Sequence, residues 1–263
     1  MKKRWFGFIL GLILSLSAAH AHPQQDAGLA DLLRKAQAEG CIALMSIEQA
    51  WVRVSNPTQC QGRTPPASTF KVLNTLIAFE TGVVDDTELF PWDGKPQFLK
   101  AWEKEMTIQE AMAHSAVPVF QQIARRIGKQ RMADWLEQVG YGNAEVGERV
   151  DRFWLDGPLV ISPLEQIRFL SQLLTGKLPF SADSLTRLRR TLPQEKIGEA
   201  RLYGKTGWSS STKPKWGWYV GWMESQGEIM VVALRIKMDA LQMAPLRQAL
   251  ARAALRHAQG YAE

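Results

Sequence analysis

The chain has 263 residues, 46% of them hydrophobic and 22% charged. That length and balance allow a buried core in one large domain or two interleaved lobes, and they exclude a disordered protein. The formal net charge is +6, of which Lys2, Lys3 and Arg4 supply three, and no basic run with interleaved aromatics occurs, so nucleic acid is not an expected partner.

Met1-Lys2-Lys3-Arg4, an apolar run through Ser17, and Ala19-His20-Ala21 give the charge, length and small-residue exit of a secretory signal. Cleavage is expected after Ala21, which makes residues 1–21 a signal peptide and 22–263 a single exported domain, placed in the periplasm with no stable membrane association. The alternative is an uncleaved anchor, although the apolar run is short for a spanning helix.

Residues 26–39 carry Leu29, Leu32 and Leu33 at helical spacing and stop at Gly40, which predicts an amphipathic helix. A strand–turn–strand follows over 42–54, flanked by Cys41 and Cys60. In an oxidising compartment hairpin pairing can bring those two segments together, so we predict a disulfide; two buried free thiols are the alternative.

Ser68-Thr69-Phe70-Lys71 follows Pro65-Pro66-Ala67. A helical residue and the third one after it share a face, so this spacing pairs the Ser68 hydroxyl with the Lys71 amine, a nucleophile with a base. Phe70, Leu73, Leu76, Ile77 and Phe79 predict a buried helix ending at Gly82, with Ser68 at its N-terminus, where free N–H groups favour anionic chemistry. The tetrad alone is weak, since roughly one chance match is expected in such a length. Ser210-Ser211-Thr212-Lys213 is a second match, in a polar stretch with no helix behind it, and is taken as accidental. Read alone, Ser68 is equally an N-cap and Lys71 a solvated helix residue.

The middle of the chain reads as helical, with capping boxes at Thr107/Glu110 and Ser162/Glu165, the second opening a helix that ends at Gly176. Residues 216–223 and 229–236 read as strands joined by Ser225-Gln226-Gly227, and 245–259 as a closing helix before Gly260. The expected fold is α+β: an antiparallel β-sheet flanked by N- and C-terminal helices, with an inserted all-helical lobe. The sheet lobe takes 22–66 and 178–263, the helical lobe 67–177, and Ser68 lies where they meet. His22, His114 and His257 have no metal-ligand spacing, so no metal is expected. His114 neighbours Ser115 but would point away from it on a helix, which argues against a serine–histidine–acid triad.

Five motifs stand in consistent order: Ser68-Thr69-Phe70-Lys71, Ser115-Ala116-Val117, Tyr141-Gly142-Asn143, Phe153-Trp154-Leu155, and Lys205-Thr206-Gly207 leading to Trp216-Gly217-Trp218-Tyr219-Val220-Gly221-Trp222. Together they resemble the class D, oxacillinase-type, serine β-lactamases within the penicillin-recognising enzymes, over most of the mature chain.

The resemblance implies that Ser68 attacks a β-lactam carbonyl and is acylated, with Lys71 as the base, carboxylated by carbon dioxide to N6-carboxylysine; no other cofactor is implied. A lysine among Phe70, Val117, Trp154 and Leu155 would be partly desolvated, which favours the neutral amine that adds carbon dioxide, and the Trp154 indole N–H would donate to the product. Ser115 is implied to relay a proton to the lactam nitrogen. Lys205 and Thr206 would orient the substrate carboxylate, and Gly207 would permit close approach to the strand. The backbone N–H groups of Ser68 and Trp208 would form the oxyanion hole. Val117, Leu155, Trp102 and Arg247 would line the substrate site, Arg247 gripping the drug's carboxylate. Tyr141-Gly142-Asn143 is read as shaping a nearby turn.

The stretch 151–162 offers only Asp151 and Asp156 as acids, so deacylation is expected to depend on the modified lysine. The rival readings are a β-lactam-sensing domain that is acylated without turnover, a cell-wall transpeptidase or carboxypeptidase, and a nonenzymatic secreted scaffold whose motifs are vestigial, against which every reactive position is intact. The expected partners are small-molecule β-lactams, and nothing in the sequence specifies an oligomeric state.

Overall fold

The protein is described here by a computed structural model covering residues 22–260; the expected signal peptide, 1–21, lies outside the described residues. In chain order the elements are β1 (Gln24–Gln25), α1 (Ala27–Lys35), β2 (Gly40–Ser46), β3 (Trp51–Val54), α2 (Pro57–Gln61), a 3-10 turn (Ala67–Phe70) and α3 (Lys71–Glu80). There follow α4 (Ile108–Ala113), α5 (Val117–Ile127), α6 (Lys129–Val139), α7 (Pro163–Leu174) and α8 (Ala182–Thr191). The chain closes with β4 (Gln194–Ile197), β5 (Ala200–Ser209), β6 (Trp216–Ser225), β7 (Glu228–Lys237) and α9 (Ala244–Ala258). Among these described residues no helix is long and apolar enough to cross a membrane.

The strands form one sheet in the order β1-β3-β2-β7-β6-β5-β4. All neighbours are antiparallel except β1 and β3, which run parallel, so the sheet is mixed and not wholly antiparallel as expected. Two residues are too few to show an alternating pattern, which is why β1 escapes a reading by periodicity. The β6–β7 hairpin closes through Gln226 and Gly227, both at positive φ, the two-residue turn whose twist matches the strands.

Strand periodicity sorts side chains onto two cores. On one face Cys41 and Ala43 of β2, Val231 and Ala233 of β7, and Trp218, Val220 and Trp222 of β6 join the helical lobe. On the other, Ile42, Leu44, Tyr219, Met223, Val232 and Leu234 pack with Leu29, Leu32 and Leu33 of α1 and Leu250, Ala254 and Leu255 of α9. Lys205 of β5 lies opposite Val220 in register, hence on the helical side. A slip of one residue would turn it to the other face.

Element ends follow local chemistry. Helix α1 stops at Lys35, short of the expected Glu39, because Gln37 at φ 49° reverses the chain so that Glu39 can accept from the Lys237 N–H at 2.8 Å and start the sheet. Both expected capping boxes are formed, at Thr107 and Ser162. The lobes interleave more than the linear boundary at 177 suggests: α7 packs on β7 and β2, whereas α8, on the sheet side of that boundary, packs on α3 and α4.

Cys41 and Cys60 are joined, but Cys60 sits in α2 and Cys41 inside β2, so the bond ties a helix to the sheet and does not staple a hairpin. It closes a separation of 19 residues, for which chain entropy gives about 3 kcal/mol. Reduction, or the Cys41→Ser/Cys60→Ser pair, should therefore lower unfolding stability by about 3 kcal/mol, read as a shifted denaturation midpoint with and without reductant.

Candidate active site

Ser68 sits on a strained turn. Ala67, the residue before Ser68, has φ 49°, a left-handed conformation that costs a non-glycine residue about 1–2 kcal/mol. Neighbours hold it there. The Ala67 N–H donates to the Trp154 carbonyl at 2.8 Å, and Thr69 donates to the Pro66 carbonyl through both its N–H (3.2 Å) and its hydroxyl (2.7 Å). As the second residue of the 3-10 turn, Ser68 has a backbone N–H with no acceptor within its own helix.

Lys71 opens α3 and donates from Nζ to Ser68 Oγ at 2.7 Å. It is fully buried, beyond the partial desolvation expected. Burial first, and the Lys205 cation second, hold its pKa well below the ordinary lysine value, so the amine is biased toward the neutral form. Phe70 packs against Phe153 and stacks on Trp154, with ring centroids 5.0 and 5.3 Å away, and the Phe120 ring lies 5.2 Å from Nζ. Trp154 is buried, and its indole N–H has no hydrogen-bond partner among the described residues. An orphaned donor in a dry cluster is costly unless an acceptor occupies the site.

Ser115, also at positive φ (54°), stands in the bend between α4 and α5 and accepts from Lys205 Nζ at 3.0 Å; the same amine donates to the Thr206 carbonyl at 2.9 Å. Burial, with the Arg247 cation as a second cause, lowers the Lys205 pKa to about 7. Arg247 itself is pushed down to about 10 by burial. Its guanidinium donates to the carbonyls of Gly207 (2.6 Å, from Nη1) and Ala244 (3.0 Å, from Nε).

Gly207 lies close against the turn that carries Ser68. A Cβ there would meet Pro66 O at 3.0 Å and Thr69 N at 3.2 Å, so the missing side chain lets β5 lie against that turn.

These groups converge on a cavity of about 490 Å³. Ser68, Ser115, Val117, Thr206, Gly207 and Trp208 line its reactive end; Trp102, Leu155 and Arg247 reach it farther out. Lys71, Lys205 and Trp154 are buried beneath or beside it. Trp102 is fixed by its indole N–H, which donates to the His114 carbonyl at 2.9 Å, while His114 is exposed. Asp151 pairs with Arg125 at 2.7 Å and Asp156 with Arg152, so both acids of that segment are held in ion pairs. Among the described residues no cluster of His, Cys, Asp and Glu gathers to hold a metal ion.

Two supports were not visible in the sequence. Buried Gln166 donates to the Thr69 hydroxyl (3.1 Å) and the Tyr141 hydroxyl (3.0 Å), tying the Ser68 turn to α7. Asn143 exchanges hydrogen bonds with Pro158 and Val160, and Gly142, at φ 60°, leaves room for the Val160 carbonyl, which a Cβ would meet at 2.2 Å. The expected turn-shaping role of Tyr141-Gly142-Asn143 is thus a clamp on the segment that carries Trp154. A lone glutamine one residue beyond a capping-box glutamate carries no pattern by which to single it out.

Residues 34–256 match the penicillin binding protein transpeptidase domain family. Beta-lactamase OXA-10 of Pseudomonas aeruginosa is 40% identical over 189 residues, 70% of this chain and 71% of that protein. Beta-lactamase OXA-48 of Klebsiella pneumoniae is 33% identical over 95% of this chain and 94% of its own. Among solved structures, the class D β-lactamase YbXI from Nostoc superposes with a TM-score of 0.85 at 34% identity, covering 88% of this chain and 98% of that one. A buried lysine bonded to a serine on a strained turn, the serine–lysine pair across the cavity, and these likenesses in sequence and fold place the chain in the penicillin binding protein transpeptidase domain family, as a serine β-lactamase of class D.

Proposed function

We propose that this protein hydrolyses the β-lactam amide of penicillin-type antibiotics through an acyl-Ser68 intermediate and thereby confers resistance. The observation that carries this reading is the 2.7 Å bond from the buried Lys71 amine to Ser68 Oγ at the cavity floor. Lys71 takes the Ser68 proton as Oγ bonds to the lactam carbonyl carbon, and the developing oxyanion is met by the N–H groups of Ser68 and Trp208, donors that typically contribute ~3–4 kcal/mol each. As the lactam C–N bond breaks, its nitrogen takes a proton from Ser115 Oγ, which Lys205 orients, and the proton taken up by Lys71 restores the Ser115 hydroxyl, leaving Lys71 neutral again. Lys205, Thr206 and Arg247 supply a cationic, hydroxyl-bearing wall for the substrate carboxylate. In deacylation the neutral Lys71 takes a proton from water as its oxygen bonds to the ester carbonyl carbon, and gives that proton to Ser68 Oγ as the acyl C–O bond breaks.

The site's residues fit N-carboxylation of Lys71. A neutral buried amine is the form that bonds to carbon dioxide with loss of a proton, and the orphaned Trp154 N–H is a donor for the anion formed. That modification supplies an anionic general base. Both nearby acids are already engaged by arginines, which leaves Lys71 the base for the second half-reaction. Periplasmic export is our reading of residues 1–21, and the Cys41–Cys60 bond suits an oxidising compartment.

Intact mass followed over time after adding benzylpenicillin tests the reaction: an adduct that appears and then vanishes as drug is consumed, and none in Ser68→Ala. A persistent adduct would turn the reading to a sensor, and no adduct would overturn it. The modification has its own test. Stripping bicarbonate at acidic pH should suppress hydrolysis of a chromogenic cephalosporin and adding it back should restore the rate, with Trp154→Phe needing roughly 10- to 100-fold more bicarbonate, the worth of one hydrogen bond to a charged group. Indifference to bicarbonate would sink that mechanism.

A lysine with a depressed pKa is cationic only below that value, so the Lys205 charge is lost as pH rises through about 7. The kcat/KM for benzylpenicillin, which reports free-enzyme groups, should fall on that alkaline side. Lys205→Arg should flatten the limb, and an unchanged limb would assign it to another group.

A further inference from the structure

A second cavity, of about 460 Å³, borders the reactive one and shares Trp102 with it. Its volume lies in the range of ligand sites. Two indole rings, Trp92 and Trp102, share its apolar lining with Pro91, Pro118 and Val119, and both are held by their N–H groups. Trp92 donates its N–H to the Lys95 carbonyl at 2.8 Å, and Trp102 to the His114 carbonyl at 2.9 Å. Anchored in this way, each ring lends its face without needing a polar partner from a ligand. Trp92 stays 39% exposed, although a ring of that size gains by being covered.

The polar groups around the rings narrow the choice of ligand. Each charged side chain at the cavity already has a partner: Arg125 with Asp151 at 2.7 Å, Lys104 with Glu110 at 3.2 Å, and Asp93 with the Lys95 N–H at 3.1 Å. The uncommitted groups are neutral amides. Gln122 has no hydrogen bond among the described residues, while Gln121 and Gln97 spend only their NH₂ groups, on the carbonyls of Asp151 and Lys95, and keep their side-chain oxygens as acceptors. Aromatic faces beside planar amides, with charges cancelled, suit a ligand that has apolar C–H faces and a rim of hydroxyl groups. A charged peptide or nucleotide would have to compete with an existing ion pair at Arg125 or Lys104.

We propose that this cavity binds a neutral oligosaccharide, whose sugar rings stack on Trp92 and Trp102 and hydrogen-bond to Gln97, Gln121 and Gln122. The site is separate from the reacting groups and touches the catalytic cavity only through Trp102. A sugar seated there would lie beside the mouth of that cavity.

Isothermal calorimetry of the mature enzyme with cellotriose and with triacetylchitotriose tests the proposal. Saturable binding of at least one is expected, at least tenfold weaker in Trp92→Ala and in Gln122→Ala, a loss of about 1.4 kcal/mol. Both variants should hydrolyse a chromogenic cephalosporin at the parental rate, which shows that they fold. No saturable heat with either sugar up to about 10 mM, or an affinity unchanged in Trp92→Ala, would overturn the proposal.

Discussion

Everything in this structure that bears on reactivity depends on keeping one amine dry. Lys71 is fully buried, has no carboxylate partner among the described residues, and stands near a second lysine. A cation in that position would be unfavourable, and the neutral amine the environment favours is a base at the pH where a solvated lysine is not. The aromatic cluster of Phe70, Phe120, Phe153 and Trp154 supplies the dryness, and the helical lobe exists, in this sense, to surround one nitrogen.

Two of the six non-glycine residues at positive φ among the described residues stand beside this amine. Ala67 and Ser115 both have left-handed backbones, and each immediately precedes or carries a hydroxyl that faces the cavity. Such conformations persist only where the surroundings fix them more than once. At Ala67 the Trp154 carbonyl, the Pro66 carbonyl and, through Thr69, Gln166 do so; at Ser115 the chain is held by hydrogen bonds to Met112 and from Ala116 to Ala111. The hydroxyls are thereby placed by backbone geometry, with little left to side-chain rotation.

How much of this could be read from residues alone divides along physical lines. Long periodic elements were legible: α3, α7, α9 and the β6–β7 hairpin have apolar spacing and end signals that act locally. Ser68 and Lys71 could be singled out because their spacing pairs a nucleophile with a base, whereas Ser115 and Lys205 came in only through the family resemblance. What escaped depends on distant partners. The parallel pairing of β1, the helical position of Cys60, the support of Gln166, and the packing of Gly207 on the Ser68 turn are each fixed by residues far away in sequence. Trp92 escaped for a related reason: an aromatic residue in a proline- and glycine-containing loop is ordinary until its N–H is seen to be tied down and its face left bare.

The contact made possible by Gly207 reaches beyond the site itself. With β5 seated against Pro66 and Thr69, this strand and the turn that carries Ser68 cannot move apart or be padded without unseating one another. The inner end of the cleft is therefore closed to gradual remodelling. Variation that alters which drugs are accepted has to come from the outer rim, where Phe98 and Leu241 are exposed and the Ser211 hydroxyl of the segment after β5 donates to the Leu155 carbonyl. Adaptation to new antibiotics in this enzyme should leave its interior unchanged and accumulate at the edges.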